Sequence, residues 1–401
     1  MRTILMVLDA KYPEDIRVRK EIEALHQSFH VALLCSGDSS AANDSRVTKL
    51  AYGPSSSKIS KTLRDLSIRF LGYDRSMTKA IRRAISDCNP DVIHIHDLPQ
   101  AATALRFRSK AKVVIDMHEN YPEALTTWFS WRSSLLIRLK NRLIYPPSHF
   151  KKVERKSCQG ADHVITVVEE MKTKLINDHQ LDPNKITTIS NYEPIYHTSE
   201  VPNEDREAVE NILQFGSKSV TYVGGIGPHR GLDDMIKSAQ YIHDSEIHFY
   251  IVGSGNTDNI NHLRTIASEC GVEERVHFVG KVPFKLVQPI MDHSDVNIIP
   301  HKSNGHCDNT IPHKLFQIMQ SSSSLLVSSS APLKRIVESN QCGFVFEAEN
   351  PKNCATTIEE IFKNPQKVQE FIENGTEVTR NGVLNWESEG KRLVEFYKNL
   401  L

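Results

Sequence analysis

The residues best placed to do chemistry lie in Asn309-Thr-Ile-Pro-His-Lys-Leu-Phe-Gln317-Ile-Met. The segment follows an apolar run, Asp295-Val-Asn-Ile-Ile-Pro300, and a polar loop, so it reads as a helix opening after a strand. Asn309 and Gln317 stand eight residues apart, a little over two turns, and face the same side if the helix runs from its first residue. A helix N-terminus at Asn309 would offer free N–H groups and about half a positive charge, which suits a sugar diphosphate. The same residues also read as plain structure, with Pro312 starting a helix and Leu315, Phe316 and Met319 in a core. Two histidine groups, His94-x-His96-Asp97 and His301…His306-Cys307…His313, invite a metal reading. Alternate residues of a strand share a face, but neither group has an established zinc spacing, and no metal site is expected.

The elements that would position these residues alternate between strand and helix. Strands are predicted at 2–9, 31–35, 91–96, 112–117, 162–168 and 186–189, with an amphipathic helix over Ile16–Gln27 and others near Gln100–Ser109 and up to Leu175. The series restarts with strands at 219–224, 247–252, 276–279, 295–300, 324–327 and 344–346, and a helix over Leu232–Ile242. Such alternation implies parallel sheets with helices on both faces and ligand crevices at the carboxyl ends of the strands. The polar stretch 191–215, with Pro194 and Pro202, marks a linker. Trp386–Leu401 reads as a helix with Leu393, Phe396, Tyr397 and Leu400 on one side.

Composition bounds the class. The 401 residues are 39% hydrophobic and 24% charged, enough for two or three cored domains. No run of about 18 apolar residues appears, so no membrane span is expected. Asp9 comes too early for a signal peptide, and the N-terminus reads as a buried strand. Seven cysteines without a C-x-x-C pair point to a reducing compartment rather than a disulfide framework. No G-x-G-x-x-G follows the first strand, which argues against a nicotinamide enzyme. The zero net charge hides an asymmetry: residues 1–200 carry 30 Lys and Arg against 23 Asp and Glu, whereas 201–401 carry 19 against 26. Within the basic half, Lys58–Arg83 sets eight cations among Ile59, Leu63, Leu66, Phe70 and Leu71, and Trp128–Lys156 sets eight among Trp128, Phe129, Trp131 and Tyr145. These read either as a surface that docks on anionic lipid or as amphipathic helices with solvated cations. No recognition motif for nucleic acid accompanies the charge.

Five segments in order resemble the family 4 retaining glycosyltransferases of the GT-B fold, over nearly the whole chain. They are Pro13-Glu-Asp-Ile-Arg17-Val-Arg-Lys-Glu21; Asp91-Val-Ile-His-Ile-His96-Asp97; Ile115-Asp-Met-His118-Glu119; Tyr222-Val-Gly-Gly-Ile-Gly-Pro-His-Arg230-Gly231; and the Asn309–Gln317 segment. The resemblance implies an α/β chain of two doubly wound Rossmann-like domains facing across a cleft. The first would be 1–195 plus a crossing helix at 384–401, the linker 196–215, and the nucleotide-sugar domain 216–383. It also implies retaining transfer of a hexosyl-type sugar from a nucleotide-sugar, expected to be a UDP-sugar. The acceptor would be a glycan or lipid-linked glycan in cell-surface polysaccharide synthesis at the cytoplasmic membrane face, with no obligatory metal.

A leaving diphosphate must be stabilised as its charge builds. The resemblance assigns that work to Arg230, Lys314, the Asn309 helix start and the N–H groups around Gly224, Gly225 and Gly227, with Gly253 and Lys281 also on the donor. It places His118 beside the donor sugar and phosphate as a hydrogen-bond donor. Asp15 and Glu119 would lie on the acceptor side; Arg17 would reach the phosphate or pair with Glu21 at i,i+4. The chain departs from the family where Gln317 replaces a glutamate that binds the ribose and Gly225 replaces an arginine. Gln317 keeps a carbonyl acceptor but not the charge, so Gln317→Glu is expected to tighten nucleoside binding. These departures keep open a non-catalytic partner protein, and an epimerase on the same fold is a further alternative.

Overall fold

A computed structural model describes residues 1–12, 14–36, 44–52, 66–128, 146–196 and 202–401. The chain divides into two compact units. The first comprises Met1–Thr126, Ser134–Asn191 and Trp386–Leu401; the second comprises Tyr192–Asn385 with Thr127–Ser133.

The first unit is built on seven strands: β1 (Thr3–Lys11), β2 (His30–Ser36), β3 (Thr48–Tyr52), β4 (Val92–His96), β5 (Lys112–Met117), β6 (His163–Thr166) and β7 (Ile186–Thr188). They lie in the order β3-β2-β1-β4-β5-β6-β7, all parallel. β1 carries a continuous apolar run, Ile4–Leu8, because helices cover both faces, and Ile4 to Val7 are wholly buried; β4 is buried throughout but interleaves His94 and His96 with its apolar residues. The expected first helix spans Ile16–Leu25, where Asp15 accepts from Val18 N at 3.1 Å and ends one orphan donor. The Trp386–Leu400 helix packs in this unit: Trp386 Nε1 donates to Lys20 O at 3.1 Å, and Leu393 and Tyr397 are buried with Ile22, Leu25 and Phe29. The edge strand β3 was not anticipated.

The second unit has six parallel strands: β8 (Lys218–Val223), β9 (Ile247–Val252), β10 (Val276–Gly280), β11 (Val296–Ile299), β12 (Ser324–Ser328) and β13 (Phe344–Phe346), in the order β10-β9-β8-β11-β12-β13. Each sheet therefore reverses its strand order once, between β1 and β4 and between β8 and β11, and crevices form outside the carboxyl ends at such points. Within the stretch expected as linker, Asn203–Ile212 is a helix. The helix expected over Leu232–Ile242 ends at Ser238 and tightens into a turn over Ala239–Tyr241.

The helix expected from Asn309 begins only at Lys314. Asn309 closes a short turn, Cys307–Asn309, and Thr310 is extended. Pro312 explains the delay, because its ring disfavours helical geometry at Ile311. Asn309 and Gln317 therefore do not share a helix face.

The loops after β8 and β9 zip together. Gly224 N donates to Val252 O at 2.9 Å and Ile226 N to Ser254 O at 2.9 Å. Gly253 has φ +144°, and a Cβ there would lie 1.8 Å from Gly224 O. A Cβ on Gly225 would meet nothing within 4 Å. Gly253→Ala is expected to cost roughly 1–3 kcal/mol in urea unfolding. Gly225→Ala should stay within about 0.5 kcal/mol of the parent.

Candidate active site

In the second unit, basic side chains converge where the strand order reverses. Arg230 follows β8 and His301 follows β11, and Arg230 Nη1 lies 3.0 Å from His301 Nε2. Lys314 opens its helix beneath the glycine loop. Its Nζ sits 3.5 Å from the Tyr222 ring centroid, a cation–π contact, and makes no hydrogen bond among the described residues. A Cβ on Gly224 would lie 3.5 Å from the same nitrogen. Tyr222 Oη donates to Gly225 O at 2.6 Å, so the ring under Lys314 also pins the loop above it. His229 packs 5.1 Å from His306 and 6.4 Å from His301, centroid to centroid.

Crowding buried bases suppresses their charge. Burial first, then Arg230, pushes His229 down to about 2, His306 down to about 4, and His301 and Lys314 well below their ordinary values. An anion placed among them would reverse both causes. The arrangement offers donors, a fixed guanidinium and close backbone approach, which together suit a diphosphate.

The other expected residues of this unit separate. Gly224, Gly227 and Gly253 lie in the zipped loops, and Gly225 is exposed at their tip. Asn309 turns inward, its Nδ2 donating to Gly305 O at 2.9 Å. Lys281 is exposed after edge strand β10, two strands from β8 or about 10 Å, and does not join the cluster. Gln317 donates to Glu193 Oε2 at 3.3 Å. His301 and His313, grouped by sequence as possible metal ligands, serve different partners, Arg230 and Glu193.

The first unit holds a second buried network at the ends of β4 and β5. Arg17 is only 2% exposed and pairs with both oxygens of Asp116 at 2.8 Å. It also meets Glu21 Oε1 at 2.9 Å, Asn191 Oδ1 at 2.7 Å and Ile189 O at 3.1 Å. The expectation that Arg17 faces an acceptor or phosphate is corrected: its guanidinium is enclosed and saturated by protein acceptors. The i,i+4 pair with Glu21 is present. Asp15 caps its helix, and Glu119 is half-buried beside His118.

His118 is held by two carboxylates. Its Nε2 lies 2.8 Å from Asp116 Oδ2 and 3.2 Å from His96 Nδ1. Its Nδ1 lies 3.5 Å from Asp97 Oδ2, and its backbone N donates to Asp97 Oδ1 at 3.1 Å. Burial would lower the His118 pKa, but Asp97 and Asp116 outweigh it and raise it to about 10. Both ring nitrogens already face acidic partners, so His118 brings a fixed positive charge more than a spare N–H. Burial would raise Asp116, but Arg17 and His118 hold it well below the usual carboxylate range. Burial, then the His94 neighbour, pushes His96 down to about 3. His94 Nδ1 bonds the Tyr397 hydroxyl, tying the Trp386–Leu400 helix to β4.

Glu21, His94, His96 and Asp116 bring ligand atoms within 4.8 Å of one another. Arg17 already lies against two of the four, Glu21 and Asp116, and supplies the cation that balances them. A metal ion there would meet a guanidinium it repels. Asp97 entered only as part of a possible metal group, and Asp116, Glu193 and Tyr222 were assigned no role from the sequence. Asp97 and Asp116 end strands next to histidines, which was the available signal; Glu193 carried none.

Two family profiles match the chain: Glycosyltransferase Family 4 over residues 16–192 and Glycosyl transferases group 1 over residues 204–378. The chain belongs to the family 4-type glycosyltransferases of the GT-B fold. It is 25% identical over 180 residues to WcaI of Escherichia coli, a protein assigned to colanic acid biosynthesis as a glycosyl transferase, covering 44% of this chain and 43% of that one. It is 22% identical over 294 residues to an uncharacterized glycosyltransferase of Haemophilus influenzae, covering 73% and 72%. The chain thus spans less than half the length of WcaI. Among solved structures, sucrose-phosphate synthase of Thermosynechococcus elongatus superposes with TM-score 0.75 at 16% identity, covering 100% and 99%. HepE of Anabaena, in complex with UDP and glucose, superposes with TM-score 0.75 at 14% identity, covering 100% of both chains. At these identities the likeness establishes the two Rossmann-like folds.

The His118 charge has a pH signature. Its folded pKa, about 10, lies above the ordinary 6.5. Its contribution is therefore fully present below about pH 6.5 and lost as pH rises through about 10. Wild type should lose on the order of 3 kcal/mol relative to His118→Asn across that window. Urea unfolding at pH 6.5, 8 and 9.5 measures it, and parallel curves for the two proteins would refute the assignment.

Proposed function

We propose that the chain is a retaining glycosyltransferase that moves a sugar from a UDP-sugar to a glycan or lipid-linked acceptor in cell-surface polysaccharide synthesis. The observation that carries this reading is the cluster of half-buried Arg230 and His229 with buried Lys314, His301 and His306 under a glycine loop at the β8–β11 reversal. A departing UDP would place its diphosphate there, with Arg230 and Lys314 neutralising the growing charge. They carry the positive charge a metal would otherwise bring, so the reading needs no metal. Structures of the similarly folded HepE of Anabaena in complex with UDP and with UDP-glucose support the choice of donor.

The acceptor side rests on relatives and on surface. WcaI is assigned to colanic acid biosynthesis, and WaaG, TM-score 0.68 at 13% identity, to lipopolysaccharide biosynthesis. No helix among the described residues is long and apolar enough to cross a membrane. Phe70, 74% exposed, and Leu71 stand beside Arg69 and Arg75, which suits docking on the inner, anionic face of a cytoplasmic membrane. Residues 58–65 and 129–145 of the two basic stretches lie outside the described residues.

UDP should raise the melting temperature of wild type, and Arg230→Ala should weaken UDP binding about 100-fold, the loss of a charge-assisted bidentate contact. Equal affinity in the variant, or no stabilisation by UDP, would remove the donor site. A retained anomeric configuration in the NMR spectrum of the transfer product would test the mechanism. Because an anion opposes the suppression of His229 and His306, which stand at about 2 and about 4 and are neutral beforehand, UDP binding at pH 7 should take up protons. Calorimetry in buffers of different ionisation enthalpy reads this directly; identical heats would contradict it.

A further inference from the structure

Glu193 reaches the donor helix from a separate segment. Its Oε1 lies 2.8 Å from His313 Nδ1, and its Oε2 accepts from Gln317 Nε2 at 3.3 Å. His313 and Gln317 stand one helical turn apart, so a single carboxylate spans both. Glu193 is 8% exposed. Its segment is anchored on both sides. Tyr196 N donates to Gln320 Oε1 at 2.6 Å, Gln320 Nε2 donates to Pro194 O at 3.1 Å, and the Tyr192 ring meets Phe316 edge-on at 4.7 Å. The carboxylate is therefore held by the same helix that carries Gln317.

Lys314 precedes Gln317 by three residues, a rise of about 4.5 Å on neighbouring faces of the helix. An anion at Lys314 thus places its next substituent near the Gln317 amide. For a nucleoside diphosphate that substituent is the ribose, whose hydroxyls donate most strongly to a charged acceptor. Gln317 has no charge to give. With its NH₂ turned to Glu193, its carbonyl is oriented as an acceptor, and the charge stands one hydrogen bond behind it.

We propose that Glu193 is the specificity-determining carboxylate of the donor site, supplying from the 192–196 segment the negative charge for the ribose hydroxyls that residue 317 lacks. His313 and Gln317 position it. The proposal rests on the donor-site reading above. It also reverses the expectation for Gln317→Glu. A second carboxylate 3.3 Å from Glu193 would repel it and weaken nucleoside binding instead of tightening it.

The test is calorimetry with UDP and 2′-deoxy-UDP on wild type, Glu193→Gln, Gln317→Glu and the Glu193→Gln/Gln317→Glu exchange, with melting temperatures to confirm folding. Wild type should prefer UDP by roughly tenfold, and Glu193→Gln should erase that preference by weakening UDP while leaving 2′-deoxy-UDP nearly unchanged. Gln317→Glu should weaken UDP, and the exchange, which restores one carboxylate and one amide, should recover most of the preference. An unchanged preference in Glu193→Gln, or tighter UDP binding by Gln317→Glu alone, overturns the role of Glu193 while Arg230→Ala still reports on the diphosphate site. Failure of wild type to bind UDP overturns both.

Discussion

The second unit depends on the crowding of basic groups at one point of its sheet. Arg230, Lys314, His229, His301 and His306 are packed where β8 and β11 part, and Arg230 depresses the protonation of all four neighbours. Burying cations without partners is costly, and folded chains ordinarily neutralise them by proton loss or by pairing. Here the chain retains one permanent charge and lets its neighbours surrender theirs. The packing of Tyr222 against Lys314 and the glycine contacts between two loops keep that arrangement rigid. An anionic ligand then gains from a site already shaped, with little reorganisation required.

The first unit solves the opposite problem. Arg17, His118 and two histidines share space with Asp116, Asp97 and Glu21, and nearly every charge has a partner within 3.5 Å. Such a network fixes geometry, because removing one member leaves another buried and unpaired. Arg17 holds Asp116 in place, and Asp116 in turn holds His118. One unit thus supplies a charge fixed in place, the other a set of charges open to change.

The fold was largely legible because parallel sheets covered on both faces write themselves as apolar runs. β1, β4, β5, β8, β9 and β11 all announced themselves that way. β3, Thr-Lys-Leu-Ala-Tyr, did not, since an edge strand carries a weaker pattern. Local rules also found the Asp15 start of the first helix and the Arg17–Glu21 pair. They failed at Asn309, where the effect of Pro312 on Ile311 was outweighed by the appeal of an eight-residue spacing. Long-range partners were out of reach: nothing near Arg17 in sequence points to Asp116, and nothing near Gln317 points to Glu193.

The Trp386–Leu400 helix bears on how the molecule is made. Its Trp386, Leu393 and Tyr397 complete the core built by β1, β2 and the Ile16–Leu25 helix, and its tyrosine meets His94 at the heart of the first sheet. That helix is translated only after the entire second unit. A nascent first unit must therefore leave the ribosome with Leu25 and Phe29 uncovered and wait, exposed to chaperones and self-association, until its last element returns.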